Sequence, residues 1–281
     1  MWQRLATLGI GTRVKSKNLW FTDTHLDKVT PWTLYRFIHH IVREKPQSVF
    51  LTGDLSNGLL VCWHLRLLAK FVKCPIYFVL GNHDYHLSSI ETVHRKIREL
   101  QTEYPNLIWL TEAGVVRLND EVAIVGTEGW YDVNNGKPEY LQFTLDWMLT
   151  EDFRKLPDMH ARIEKWRELA DVSAKNLSLK VDEAFKAGYK SVYVLTHFPP
   201  WAEATRDVGT PMETFWLPYN VNLRLGKALE EVMLNHKNKH ITVLAGHTHT
   251  DCWIHVASNI ECKVSKAKYY GELRNEEHIY I

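Results

Sequence analysis

A chain of 281 residues has room for one large domain or two small ones, and 45% hydrophobic with 24% charged residues is the balance of an ordinary folded, water-soluble protein. A formal net charge of +1 gives no general attraction to nucleic acid or to anionic membranes, which argues against membrane partners and an extended nucleic-acid surface. The four cysteines form neither a C-x-x-C pair nor a disulfide framework, the N-terminus has no secretory apolar core, and no run reaches membrane-spanning length, so a cytoplasmic setting is expected.

The elements follow in chain order. Asn18 to Thr22 reads as a strand ending in Asp23-Thr24-His25. Thr30-Pro31 starts a helix, a hydroxyl cap followed by proline at the first helical position, with Leu34, Phe37, Ile38 and Ile41 on its apolar face. Ser48 to Leu51 is a second strand, ending in Thr52-Gly53-Asp54, and Leu59 to Val72 a second helix. Ile76 to Leu80 is a third strand, stopping at Gly81-Asn82-His83-Asp84, and Ile90 to Tyr104 a further helix. This β-α-β-α-β order predicts parallel strands with helical crossovers. Two short apolar runs around Asn119-Asp120-Glu121 predict a hairpin.

Residues 128–190 are mainly helical in pattern, over Tyr140 to Met148 and Met159 to Lys186, and read as an insertion or cap on one domain spanning residues 1–281. Ser191 to Leu195 is a strand ending in Thr196-His197, followed by a proline-rich stretch to Asn222 whose length suggests a functional loop. Leu223 to Leu234 is a helix, Ile241 to Leu244 a strand ending in Gly246-His247-Thr248-His249, and short antiparallel strands complete the chain.

Five strand ends thus deliver carboxylates, imidazoles and one carboxamide, with no thiolate. Ligand sites in open α/β sheets lie at such ends, and mixed nitrogen and oxygen ligation suits manganese, iron, zinc or cobalt. The groups outnumber what one ion requires. They suit a pair of ions about 3.5–4 Å apart.

Asp23-x-His25, Gly53-Asp54, Gly81-Asn82-His83-Asp84, Thr196-His197 and Gly246-His247-Thr248-His249 resemble, in order and form, the motifs of the calcineurin-like metallophosphoesterases. The resemblance implies a mixed α/β fold, a four-layer α/β/β/α sandwich of two mixed sheets flanked by helices with a dinuclear metal centre at one edge. It implies that Asp23, His25 and His249 hold one ion, Asn82, His197 and His247 a second, and Asp54 both. It also implies that His83 faces the substrate as general acid, and Asp84 beside it would set its orientation and tautomer. The cofactor is then two divalent ions, manganese first, with iron, zinc, cobalt or nickel as alternatives. Water held by two such ions is acidic enough to supply hydroxide for attack on phosphorus near neutral pH.

The substrate class is partly legible. Members acting on phosphoproteins carry Gly-Asp-x-x-Asp-Arg-Gly, whereas this chain has Gly53-Asp54-Leu55-Ser56-Asn57-Gly58, without the second aspartate or the arginine. His83 stands where lipid-precursor hydrolases usually place arginine. The expected activity is a phosphodiesterase on a small-molecule or nucleotide phosphoester, the alternatives being a phosphomonoesterase, a nuclease or a scaffold without catalysis. Asp27, His64, His86, Asp251 and His255 match no ligand position and read as hydrogen-bonded or solvated side chains. Trp130, Tyr131, Trp201, Phe215, Trp216 and Tyr219 could stack on a base or aryl group, or form a small core of their own. Oligomeric state is not written in these residues.

Overall fold

The strands carry large apolar side chains on both faces, so each sheet has to be covered twice. A computed structural model describes residues 16–134, 144–205, 213–267 and 277–281, and shows how this is done. In chain order the elements are β1 (Lys17–Phe21), α1 (Pro31–Glu44), β2 (Ser48–Thr52), α2 (Val61–Phe71), β3 (Ile76–Val79), α3 (Ile90–Glu103), β4 (Leu107–Trp109), β5 (Val116–Arg117) and β6 (Val122–Gly126). There follow α4 (Asp146–Leu149), α5 (Glu151–Arg154), α6 (Met159–Lys186), β7 (Ser191–Leu195), α7 (Glu213–Asn220), α8 (Leu223–Leu234), β8 (His240–Ala245), β9 (Cys252–Ala257), β10 (Ile260–Val264) and β11 (Glu277–Tyr280).

One sheet has the order β11-β1-β2-β3-β4, parallel except for β11, and the other β5-β6-β7-β8-β10-β9, parallel except for its edge strands. Side-chain alternation sorts residues into three cores. Leu19, Phe21, Val49, Leu51, Ile76 and Phe78 face the outer helices of the first sheet, meeting Leu34, Phe37, Ile38 and Ile41 of α1 and Leu65 and Leu68 of α2. The residues between them, Trp20, Phe50, Tyr77 and Val79, meet Ile124, Leu195 and Leu244 across the sandwich. On the far side Ala123, Val125, Val192, Val194, Ile241 and Val243 pack under α6 and α8. The layers are therefore α/β/β/α, as the sequence motifs imply. Burying one such side chain contributes about 1.5–3 kcal/mol.

Local signals place the helices. Thr30 Oγ1 accepts from Thr33 N at 3.1 Å, capping α1 ahead of Pro31, and Ser89 does the same for α3 through Thr92 N. The sequence reading differs from the structure in the second half. Residues 159–186, read as part of an insertion over the core, form α6, which connects β6 to the parallel β7 and buries Leu177, Val181 and Phe185 in the core of the second sheet. The stretch after His197 contains α7 and a short turn over Ala202–Ala204, while its residues 206–212 lie outside the described residues, as do residues 140–143 of the expected helix. The strand β4 has no counterpart in the sequence reading.

Lys180 locks the sandwich where the sheets diverge. Its Nζ donates to the carbonyls of Leu110 (2.7 Å) and Thr111 (2.8 Å), beyond β4, and of Gly126 (3.1 Å), at the end of β6. One ammonium from α6 thus satisfies carbonyls belonging to both sheets. Lys180→Met keeps the aliphatic stem but leaves these acceptors unpaired, so we expect it to lower unfolding free energy by about 1–3 kcal/mol, measurable as a reduced urea midpoint with an unchanged slope.

Candidate metal centre

At the ends of β1, β2 and β3 in one sheet, and of β7 and β8 in the other, the chain turns sharply. Eight non-glycine residues among those described have left-handed backbone, and five are Asp23 (φ 49°), His25 (40°), Asp54 (51°), His247 (65°) and His249 (52°). That conformation costs roughly 1–2 kcal/mol for an L-residue. Its concentration here shows turns shaped to aim side chains. Asp23 and His25 form one such turn with a single residue between them, and His247 and His249 repeat it from the opposite sheet.

Backbone bonds tie the turns together: Asp23 N donates to the Gly53 carbonyl (3.0 Å), His25 N to the Asp54 carbonyl (3.0 Å) and Gly246 N to the His197 carbonyl (2.9 Å). Two glycines permit this closeness. Gly53 has φ of +89°, and a methyl group on it would stand 2.5 Å from His197 Nδ1. On Gly246 a methyl would meet Thr22 Oγ1 at 2.0 Å and Asp23 Oδ2 at 2.3 Å.

The side chains converge in three overlapping groups: Asp23, His25 and His249; His25, Asp54 and His83; and Asp54, His197 and His247. Within each group the donor atoms lie no more than 4.8 Å apart. Asp23 accepts from His247 N at 3.1 Å and lies 3.2 Å from His249 Nε2. Asp54 Oδ1 accepts from His83 N at 2.9 Å, and Asp54 Oδ2 lies 3.8 Å from both His25 Nε2 and His83 Nε2. Asn82 joins through its Oδ1, 3.1 Å from His197 Nε2. The sequence-predicted ligand positions therefore occupy one site at the seam of the sheets.

Hydrogen bonds set two imidazole tautomers, and these test whether a cation fits. A backbone carbonyl can only accept, so His197 donates Nδ1–H to Thr52 O (2.8 Å) and His247 donates Nε2–H to Tyr219 O (2.9 Å). Histidines that bind metal characteristically donate their other N–H in this way. His197 Nε2 then carries a lone pair, 3.3 Å from Asp54 Oδ1 and 3.1 Å from Asn82 Oδ1. The His197 lone pair, the Asn82 oxygen and the Asp54 carboxyl thus converge as donors that a divalent ion can share.

The electrostatics agree. Burial, the largest influence, pushes His25 and His247 down to about 3 and His83 down to about 2, so these rings stay neutral. Burial, and after it the neighbouring Asp23 carboxylate, push Asp54 well above the usual carboxylate range. Burial acts in the same direction on Asp23, but its hydrogen bond to His249 and the surrounding imidazoles hold it below that range. Neutral imidazoles beside carboxylates crowded out of water make a site that fits cations.

His83 is the rim of this cluster. Its side chain is 19% exposed, whereas those of His25, Asp54 and His197 are at most 2% exposed. The ring lies 4.8 Å from that of His25 and 4.5 Å from that of His86. Asp84 does not take the position expected of it. Its Oδ1 accepts from Ser56 N and its Oδ2 from Gly81 N, both at 2.8 Å, which joins the loops after β2 and β3. The cause is the 3-10 turn over His83–Tyr85, which directs successive side chains about 120° apart. Asp84 is thus a buried brace for the loops and His83 is oriented by others.

Those others include two residues that the sequence reading leaves without a role. Asp146, in α4, is buried, and its Oδ1 accepts from Asn82 Nδ2 (2.8 Å) and bonds His86 Nε2 (2.7 Å) while Oδ2 accepts from Tyr131 O–H (3.1 Å). It fixes which way the Asn82 amide points, and it holds His86 against His83. No local pattern marks Asp146, because its partners are 64, 60 and 15 residues away in the chain. The aromatic residues near the site form a wall of their own. Trp130 stacks on Phe198 (5.9 Å), Tyr131 on Trp166 (5.5 Å) and Phe153 on Trp166 (4.1 Å), while Phe198 lies 4.3 Å from the His247 ring. Trp201 is also buried, with its Nε1 donating to Glu230 Oε1 at 2.6 Å, and Tyr219 lies under the same wall. Among the aromatics singled out, Trp216 is exposed. His64 bonds Ser56 Oγ, Asp27 accepts from Asn57, Asp251 pairs with Lys266 and His255 with Glu261, as their bland reading requires.

The sequence profile of the calcineurin-like phosphoesterases matches residues 17–251. The chain belongs to that family, and is a metal-dependent phosphoester hydrolase. No curated protein matches it in sequence. Among solved structures it is similar to the phosphopantetheinyl hydrolase of Mycobacterium tuberculosis, at 13% identity over 95% of this chain and 96% of that one, with a TM-score of 0.60. It is similar also to a dimetal phosphatase from Danio rerio, at 11% identity over 95% of this chain and 92% of that one, with a TM-score of 0.58. A Thermus thermophilus protein, TT1561, shares 12% identity over 95% of this chain and 99% of that one, with a TM-score of 0.53. These likenesses establish the fold. The family implies a dinuclear divalent site, and the clustered donors are where this chain can hold it.

Asp146→Ala frees the Asn82 amide to rotate. We expect a loss of about 10–100-fold in affinity for at least one divalent ion, read by calorimetric titration of metal-stripped protein, with Asp146→Asn losing less because it can still accept from the amide.

Proposed function

We propose that the chain is a phosphodiesterase for a small or nucleotide phosphoester, working with two manganese ions. Asp23, His25 and His249 hold one ion, Asn82, His197 and His247 the other, and Asp54 lies between the two sets. The observation that carries this reading is the convergence of donor atoms within 4.8 Å across both sheets, with His197 Nε2 fixed as a lone-pair donor. When bound, two such ions supply an activated water at neutral pH and neutralise charge on the phosphoryl oxygens.

The chain's own groups account for the remainder. Asp54 and Asp23 keep the two ligand sets in register through their bonds to His83 N and His247 N. His83, at the exposed rim, faces the leaving oxygen and passes it a proton. Burial alone would leave its ring unprotonated, and the negative charge of a bound phosphoester favours the imidazolium form. His86, held by Asp146, packs 4.5 Å from that ring and keeps it turned toward the substrate.

The diester reading rests on the motifs: Gly-Asp-x-x-Asp-Arg-Gly, carried by members acting on phosphoproteins, is replaced here by Gly53-Asp54-Leu55-Ser56-Asn57-Gly58. A phosphomonoester substrate is the second reading, supported by the dimetal phosphatase among the structural neighbours.

Two assays separate these readings. Metal-stripped protein reloaded with Mn²⁺ should hydrolyse bis-p-nitrophenyl phosphate faster than p-nitrophenyl phosphate, and the reverse preference would move the substrate to a monoester. His83→Ala should lose about 10²–10⁴-fold in kcat on a diester with an alkoxide leaving group, lose much less with p-nitrophenolate, and retain its metal content. Equal losses on both leaving groups would remove the proton-donor assignment.

A further inference from the structure

The net charge of +1 conceals a strong segregation. Residues 28–43 contain Lys28, Arg36 and Arg43, residues 55–83 contain Arg66, Lys70 and Lys73, and neither segment contains an aspartate or glutamate. These two segments carry α1 and α2, neighbours in the outer helical layer of the first sheet. Glu44, the last residue of α1, follows at once, so the two helices themselves carry Arg36, Arg43, Arg66 and Lys70 against one glutamate, with Lys28 ahead of α1 and Lys73 just beyond α2. Arg66 is paired with Glu103 and Arg43 lies near Glu44, but Arg36, Lys70 and Lys73 have no carboxylate within ion-pair distance among the described residues.

The same face exposes large aromatic and aliphatic side chains. Trp32 is 65% exposed, Tyr35 56%, Leu59 59% and Trp63 48%, with Leu60 beside them at 41%. Trp32 and Tyr35 stack on each other at 5.4 Å, and Tyr35 on His39 at 5.9 Å, forming a ridge along α1. Trp32 lies in the first turn of α1, and Leu59, Leu60 and Trp63 lie at the start of α2. Asn57 donates to Asp27 and Leu26 N to the Leu55 carbonyl, so the segments leading into these two helix starts are bonded to each other. Both follow directly on the turns that carry Asp23, His25 and Asp54, so this face borders the metal centre. On this layer indoles, a phenol and leucines stand in water beside Arg36, Lys70 and Lys73.

We infer that this face is a docking surface for an anionic lipid bilayer. Charge complementarity selects the occupant. Arginine and lysine on one helical face are drawn to an anionic leaflet, while Trp and Tyr settle at the level of the headgroups. A nucleic acid would meet the cations but offers no apolar interior for Leu59 and Leu60, whereas a bilayer supplies anionic headgroups and hydrocarbon to the same face. Docking in this orientation turns the metal centre, at the starts of α1 and α2, toward the membrane surface. Nothing in the inference depends on which phosphoester is hydrolysed.

The test is co-sedimentation of the full-length chain with sonicated vesicles, alongside its tryptophan emission. Vesicles of phosphatidylcholine containing roughly one-third phosphatidylglycerol should bind the protein at least about tenfold more strongly than pure phosphatidylcholine, with a blue shift in emission, and high salt should abolish the difference. The Arg36→Glu/Lys70→Glu variant should lose most of this binding through charge. Trp32→Ala/Trp63→Ala should lose the blue shift through insertion, and both variants should melt at the wild-type temperature, because every residue changed is exposed. Binding that ignores lipid charge, binding that survives both double variants, or no binding to either vesicle overturns the inference. Concentration-dependent dimerisation abolished by Trp32→Ala/Trp63→Ala, without vesicle binding, assigns the face to self-contact and overturns it as well.

Discussion

Two carboxylates, Asp23 and Asp54, sit where the two sheets meet and water does not reach. Uncompensated, each would cost several kcal/mol. Burial and the neighbouring Asp23 push Asp54 toward its protonated form, while the hydrogen bond to His249 and the nearby imidazoles keep Asp23 ionised. Much of the local architecture answers this constraint. Backbone N–H groups of His83 and His247 are directed at the carboxylates, glycines admit the backbone to close range, and the remaining charge is left for divalent ions. A site of this kind also couples folding to loading, because ions that bind only the folded chain stabilise it by mass action.

The ligand turns belong to different sheets, so the centre acts as a cross-link in a sandwich otherwise held by the Trp20–Phe50–Tyr77 core and by Lys180. Around it stands a buried support outside the donor clusters. Asp84 joins two loops of the first sheet, Asp146 sets the Asn82 amide, and Phe198 with Trp130, Tyr131 and Trp166 closes the side toward α6. The helical segment after residue 143 is therefore part of the site's construction, through α4, as well as a connection between strands. The chemistry is concentrated in a few side chains, but their aim comes from several layers.

How much of this is legible in the sequence depends on the range over which each feature is determined. Strand ends such as Val79-Leu80-Gly81-Asn82 are visible because an apolar run stops abruptly at glycine, and five such ends in order suffice to indicate one clustered site. The cap at Thr30 and the apolar face of α1 are local and equally legible. Strand β4 is three residues long, too short for a periodic signal, and β11 pairs with β1 from the opposite end of the chain. Asp84 illustrates a different failure: adjacency in sequence suggests contact with His83, whereas a 3-10 turn sends neighbouring side chains apart. Asp146 has meaning only after folding brings Asn82, His86 and Tyr131 to it. The role of residues 159–186 was obscured because charges of both signs on α6 look like a solvated surface, although one stripe of that helix is buried against the second sheet.

The left-handed turns have a further consequence for which elements the site can accept. Asp, Asn and His populate that backbone region several-fold more readily than other residues with side chains, and β-branched residues hardly at all. At positions 23, 25, 54, 247 and 249 the main chain has therefore restricted the ligand alphabet before any ion arrives. Introducing a thiolate at one of these positions would have to overcome the turn as well as the loss of the native donor. The bias of the donor set toward nitrogen and oxygen is in this sense inherited from backbone torsion, and changing it would require rebuilding the turn and not just the side chain.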